Sequence, residues 1–92
     1  MYTLVIYDIT DDGIRLKVAE ACKEAGLVRI QKSAFLGRID SQTRKNLKRR
    51  LQKILGDGPG NIQFFLICEA DMRFREMIGT PTGYEEEGMI IF

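Results

Sequence analysis

The sequence predicts an α+β fold in which the chain runs β-α-β-β-α-β and adds one further strand at its C-terminus. Three observations carry that expectation. Residues 2–9 and 62–69 are β-branched and aromatic runs with apolar side chains of both parities. Residues 11–25 and 42–55 place apolar side chains at helical spacing. Between them, residues 27–39 alternate between apolar and polar as an extended segment does.

The first run reads as a central strand, because apolar residues of both parities fit burial on two faces. Asp8 interrupts it near its end, and Thr10-Asp11-Asp12 is a helix-start signal. Ile14, Val18, Ala21, Cys22 and Ala25 then fall on one face of the first helix, and Gly26 stops it. In the extended segment Val28, Ile30, Ala34 and Leu36 share one parity, whereas Arg29, Gln31, Ser33 and Phe35 share the other. The apolar parity is expected to meet the helices and the polar one, with its single aromatic ring, to face away. Lys32 breaks the apolar parity, so a bulge or bend there divides the run into two strands. Asp40-Ser41 caps a second helix whose apolar stripe is Leu47, Leu51, Ile54 and Leu55. Gly56-Asp57-Gly58-Pro59-Gly60 ends it. Residues 62–69 are expected as a second fully buried strand, with Phe64 and Phe65 on opposite faces. A short helical turn follows within 70–77, and Met89-Ile90-Ile91-Phe92 reads as a last strand.

That order is the ferredoxin-like arrangement, with both helices on one face of an antiparallel sheet. Ninety-two residues make one domain over 1–92, since two would leave neither half a core. If helices cover one face only, Phe65 and Ile67 need another partner, and a second copy packed sheet to sheet is the simplest.

The longest apolar run, Phe64 to Cys68, is far short of the roughly 20 residues of a membrane span, and the N-terminus has no basic leader. Cys22 and Cys68 lie apart within apolar patterns, which fits buried thiols in a reducing cytoplasm. The chain contains no histidine. Catalysis by a Ser-His-Asp triad or Cys-His pair is therefore excluded, as is a histidine-ligated metal. The net charge of +1 conceals a split: residues 1–56 hold 12 Lys/Arg against 6 Asp/Glu, and residues 57–92 hold 2 against 7. A basic region beside an acidic one points to an anionic partner, nucleic acid first.

Asp8 is the residue with the most chemistry. A carboxylate ending a buried strand is costly unless hydrogen-bonded or bound to a cation. It either bonds the turn at Thr10-Asp11 or binds a divalent ion. Magnesium takes one or two carboxylates plus waters and substrate phosphates, so two Asp8 side chains across a two-fold axis would suffice. The second helix contains Lys45, Lys48, Arg49, Arg50 and Lys53 with no acidic residue between Ser41 and Leu55. A solvated face normally interleaves both signs, so a one-signed face favours a polyanion backbone.

The series Tyr7-Asp8-Ile9-Thr10-Asp11-Asp12, then Arg15, Val18-Ala19, and residues 26–37 (GLVRIQKSAFLG) closely resembles the small CRISPR-associated endonuclease of the spacer-acquisition machinery. The likeness covers nearly the whole chain. It implies a ferredoxin-like fold, a symmetric homodimer in which residues 84–92 add a strand to the partner's sheet, and a Mg²⁺- or Mn²⁺-dependent phosphodiesterase site centred on Asp8. The family's supporting positions fall on Tyr7, Arg15, Arg29 and Phe35. Lys17 stands where the family has a further arginine, keeping the charge without the bidentate fork. Members cleave single-stranded RNA or double-stranded DNA in antiviral defence, whereas others resemble non-catalytic DNA-binding subunits that bridge the CRISPR-associated integrase. Both expectations stand at this point.

Overall fold

A computed structural model of the protein describes residues 1–80. β1 (Tyr2–Asp8) leads into α1 (Asp12–Glu24), followed by β2 (Val28–Gln31), β3 (Ala34–Arg38), α2 (Ser41–Leu55), β4 (Asn61–Ile67) and the one-turn α3 (Glu69–Met72). The expected final strand and the segment 84–92 lie outside the described residues.

The helices begin where capping side chains sit. The Asp11 carboxylate accepts the Ile14 amide at 2.8 Å, and the Asp40 carboxylate accepts that of Thr43 at 2.7 Å. Each cap satisfies an amide without an intrahelical partner. The Thr43 amide also holds the Asp40 carboxyl below the usual carboxylate range. α2 ends at Gly56, whose φ of +56° favours glycine.

The sheet has the order β2-β3-β1-β4, all neighbours antiparallel. With both helices against one face, this is the ferredoxin-like arrangement. The helix-side core gathers Val5, Tyr7 and Ile9 with Phe35, Val18, Cys22, Leu47 and Leu51. On the opposite face Tyr2, Leu36 and Met72 form a smaller cluster flanked by Leu4, Val28, Ile30 and Ile67. No helix of the described residues is long and apolar enough to cross a membrane.

Two strand expectations are corrected. The faces of β2 and β3 are reversed: Phe35, fully buried, points into the helix-side core, and Val28, Ile30 and Leu36 point away from it. The polar parity reaches the helices because the Arg29 guanidinium lies over the Phe35 ring, 5.1 Å from its centroid. An arginine can thus join an apolar layer through its stem and a ring face while keeping its charge at the margin. The irregularity near Lys32 is present, as a register shift between Arg29 and Gln31 before a two-residue turn. Second, β4 is not fully buried. It lies at the edge of this sheet, with Phe65 and Leu66 about half exposed, while Phe64 packs on the helix side.

Both cysteines are free, Cys22 fully buried and Cys68 partly so. Burial pushes the Cys22 thiol up to about 12. At pH 8 only about one thiol in 10⁴ is then thiolate, the reactive form. Native protein is expected to react with a disulfide reagent through Cys68 first. Cys22 should react only on unfolding, which a stopped-flow thiol assay with and without denaturant measures.

Candidate metal centre and nucleic-acid interface

Alternation along β1 places Tyr7 and Asp8 on opposite faces. Tyr7 enters the helix-side core, whereas Asp8 lies exposed at the strand's end on the face opposite α1 and α2. The sequence puts Asp8 at the end of a buried strand; the structure instead leaves it open to solvent, so burial does not force it to find a partner. Its accessibility suits a cation and a phosphate brought from outside.

Asp8 stands directly opposite Asn61, the first residue of β4. Asn61 is exposed on the same face, and its amide oxygen accepts a hydrogen bond from the Gln63 side chain at 3.2 Å. Gly60, with φ at +112°, precedes this rung. A Cβ there would fall 2.5 Å from the Asp8 carbonyl oxygen and 3.3 Å from the Ile9 Cα. Only glycine lets the start of β4 come this close to the end of β1. Sequence reading treats Gly60 as one of several turn glycines and passes over Asn61. The signal available there is a glycine immediately before a strand.

The donors around Asp8 are hard oxygens, with no histidine in the chain. Among the described residues no three His, Cys, Asp or Glu side chains cluster. One protomer's described residues therefore build no complete cage of such ligands, which fits magnesium or manganese retaining water and phosphate ligands. Among the described residues the site lacks the histidine and cysteine ligands on which zinc sites are mostly built.

The residues named by the family likeness divide between the two faces. Tyr7, Arg15 and Arg29 come together on the helix side, where they line a cleft of about 310 Å³ with Asp12, Leu16 and Lys32. Phe35 is buried next to Tyr7 and Arg29, stacked on Tyr7 at 6.3 Å and capped by the Arg29 guanidinium. Burial raises the Tyr7 hydroxyl, while the neighbouring Arg29 pulls it the other way. Arg15 is partly engaged: it pairs with Asp12 and donates to the Ile9 carbonyl at 3.4 Å. That bond ties the head of α1 to the backbone just past Asp8. Lys17 is exposed and does not line the cleft. None of these side chains shares Asp8's face; they support its strand end from behind.

The cations of α2 form a separate surface. Lys45, Lys48, Arg49, Arg50 and Lys53 are all exposed; Lys45, Arg49 and Lys53 lie opposite the buried Leu47 and Leu51, and Lys48 and Arg50 flank them. Arg50 is not wholly available, because it pairs with Glu24 of α1 at 2.7 Å. This surface belongs to the helix layer and is separated from Asp8 by the sheet.

The family model described as CRISPR associated protein Cas2 matches residues 1–74. Among curated relatives, the CRISPR-associated endoribonuclease Cas2 of Korarchaeum cryptofilum is 49% identical over 76 residues, covering 83% of this chain and 82% of that protein. Its counterpart from Desulforudis audaxviator is 40% identical over 87 residues, covering 95% and 82%. A Thermoproteus tenax protein described as a Cas1/Cas2 endonuclease fusion is 39% identical over 67 residues, covering 73% of this chain and 25% of that longer protein. In structure, the chain superposes on Streptococcus pyogenes Cas2 with a TM-score of 0.75 and 27% identity, covering 86% of this chain and all of the other.

Proposed function

The chain belongs to the Cas2 family of CRISPR-associated proteins, and we propose that it is a divalent-metal-dependent nuclease that hydrolyses phosphodiester bonds in RNA or DNA during CRISPR adaptation. The observation that carries this reading is Asp8: an exposed carboxylate, at the end of β1, on the face opposite α1 and α2. Relatives named endoribonucleases support the reaction class. The fusion relative supports a partnership with a Cas1-type integrase. We place the protein in the cytoplasm, where both thiols stay reduced.

Asp8 and its copy in a sheet-to-sheet homodimer would hold magnesium or manganese between them. When bound there, the ion supplies Lewis-acid chemistry: it activates water and neutralises charge developing on the phosphate. The chain's own residues do the rest. The short passage from Asp8 through Ile9 to α1 is held by Arg15 and by the Asp11 cap, so the carboxylate stands on a fixed strand end. Tyr7 and Phe35, stacked beneath Arg29, fill the layer behind that end and keep it from collapsing inward. The decisive test is turnover of labelled single-stranded RNA and of duplex DNA by purified dimer, with and without Mg²⁺. Metal-dependent cleavage of either supports the reading, and its absence on both defeats it.

A second reading, a non-catalytic DNA-binding scaffold that bridges the integrase, is favoured by the basic face of α2. That face lies on the layer away from Asp8, where bound duplex would not reach the carboxylate of the same protomer. Replacing Lys45, Arg49 and Lys53 with glutamine is expected to weaken duplex binding. Each lost phosphate contact should flatten the log–log salt dependence by about 0.9. Titrations at several salt concentrations measure that slope. An unchanged slope places the interface elsewhere, around Arg15 and Arg29.

A further inference from the structure

At the end of β1 and the start of β4, Asp8 and Asn61 stand directly opposite each other on the face away from α1 and α2. Side chains opposed in this way share a face, with Cβ atoms about 5 Å apart. Asn61 is not free to turn at random: its amide oxygen accepts from Gln63, two residues further along the same face, at 3.2 Å. With the oxygen so engaged, the amide nitrogen carries two donors for other groups. Gly60 closes the arrangement from the backbone side, since any side chain there would strike the Asp8 carbonyl.

Among the described residues the Asn61 side chain bonds only Gln63. From its place opposite Asp8 we infer that, with the cation bound, its amide nitrogen donates to the Asp8 carboxylate, which makes Asn61 a positioning residue for metal binding. The inference rests on the reading that Asp8 holds the metal. A lone exposed carboxylate samples several rotamers, and all but one waste its affinity. A neutral amide suits the task better than a second acid. It donates a hydrogen bond to one carboxylate oxygen, leaves the other for the cation, and adds no charge to a site where a second Asp8 must approach. Carboxylates that bind metals are commonly held by such outer partners, whose loss costs about 10- to 100-fold in affinity or activity.

The experiment measures Mn²⁺ binding to the intact dimer by electron paramagnetic resonance, beside the Mg²⁺ dependence of cleavage. Asn61→Ala is expected to weaken Mn²⁺ binding by about 10- to 100-fold and to raise the Mg²⁺ concentration for half-maximal rate by the same factor. The rate at saturating Mg²⁺ should stay within a few-fold of the parent. A merely structural role would not confine the loss to the metal dependence. Asn61→Ser keeps a donor and should recover part of the affinity. Gln63→Met, which frees the Asn61 amide, should cost a few-fold. Asn61 and Gln63 are exposed, so all three variants should fold, with melting and dimer mass as checks. Parent-like Mn²⁺ affinity in Asn61→Ala, where Asp8→Asn has lost binding, overturns the positioning role alone. Parent-like affinity in Asp8→Asn overturns the reading of the site itself.

Discussion

Asp8→Asn in both protomers is expected to abolish metal-dependent cleavage, lowering the rate by more than about 100-fold, while the dimer and most nucleic-acid affinity survive. The change preserves the shape of the side chain and removes its charge. Because Asp8 is exposed and makes none of the described core contacts, folding has little to lose. The α2 cations are untouched on the other layer, so binding and cleavage should separate. A loss on the scale expected when an essential electrostatic group is removed would place Asp8 at the reaction centre. The sharper form uses mixed dimers that pair one parent chain with one chain carrying Asp8→Asn. If both carboxylates serve one site, these retain far less than half of the parent activity. Half activity means two independent sites. Unchanged cleavage with both protomers altered leaves the scaffold reading in place, with the cleavage assigned to a contaminant or another site, and the assay is a quantitative time course on co-purified, differently tagged chains.

The separation of Asp8 from α2 follows from one feature of the sheet. β1 is central in this sheet and runs between β3 and β4, so its alternate residues serve two surfaces: Tyr7 anchors the helices and Asp8 faces outward. The strand thus fixes the carboxylate through a buried neighbour one residue away. Any substitution that loosens Tyr7, Phe35 or Arg29 acts on Asp8 through the backbone. Residues on the far side of the sheet can therefore matter to the site without touching it.

Local signals make the elements legible in the sequence. The Asp11 and Asp40 caps, the glycines at 26 and 56, and the apolar stripe of α2 are all short-range features, and each stands where expected. The side from which β2 and β3 meet the helices is not legible there. That choice turns on Arg29 lying over Phe35, a pair brought opposite by the β2–β3 register and not by a local pattern. The edge position of β4 is likewise a property of strand order, so its apolar run reads as buried until the order is known. Asp8 is legible because a carboxylate at a strand end is conspicuous. Asn61 and Gly60 are not, because they acquire meaning only from being opposite or against Asp8.

Phe65→Glu is expected to convert the proposed sheet-to-sheet dimer to a monomer and to eliminate cleavage with it. Phe65 stands opposite Leu4 on the face away from α1 and α2 and is 45% exposed, near Ile6 on the same face, which is 39% exposed. Apolar side chains left open together on one face of a sheet mark a surface made for another surface. In the isolated chain the introduced carboxylate remains in water, so folding should change by no more than about 1 kcal/mol. In a symmetric dimer the substitution occurs twice, and each carboxylate must leave water for an apolar contact. A cost of several kcal/mol weakens association by about 10³-fold or more. Monomers would keep the α2 surface and bind nucleic acid through it, yet lack the second Asp8. Sedimentation, thermal melting and the cleavage assay distinguish the outcomes. A native-like monomer without activity supports the two-carboxylate site, whereas an active monomer means that one Asp8 suffices. An intact dimer would show that the protomers associate through another face.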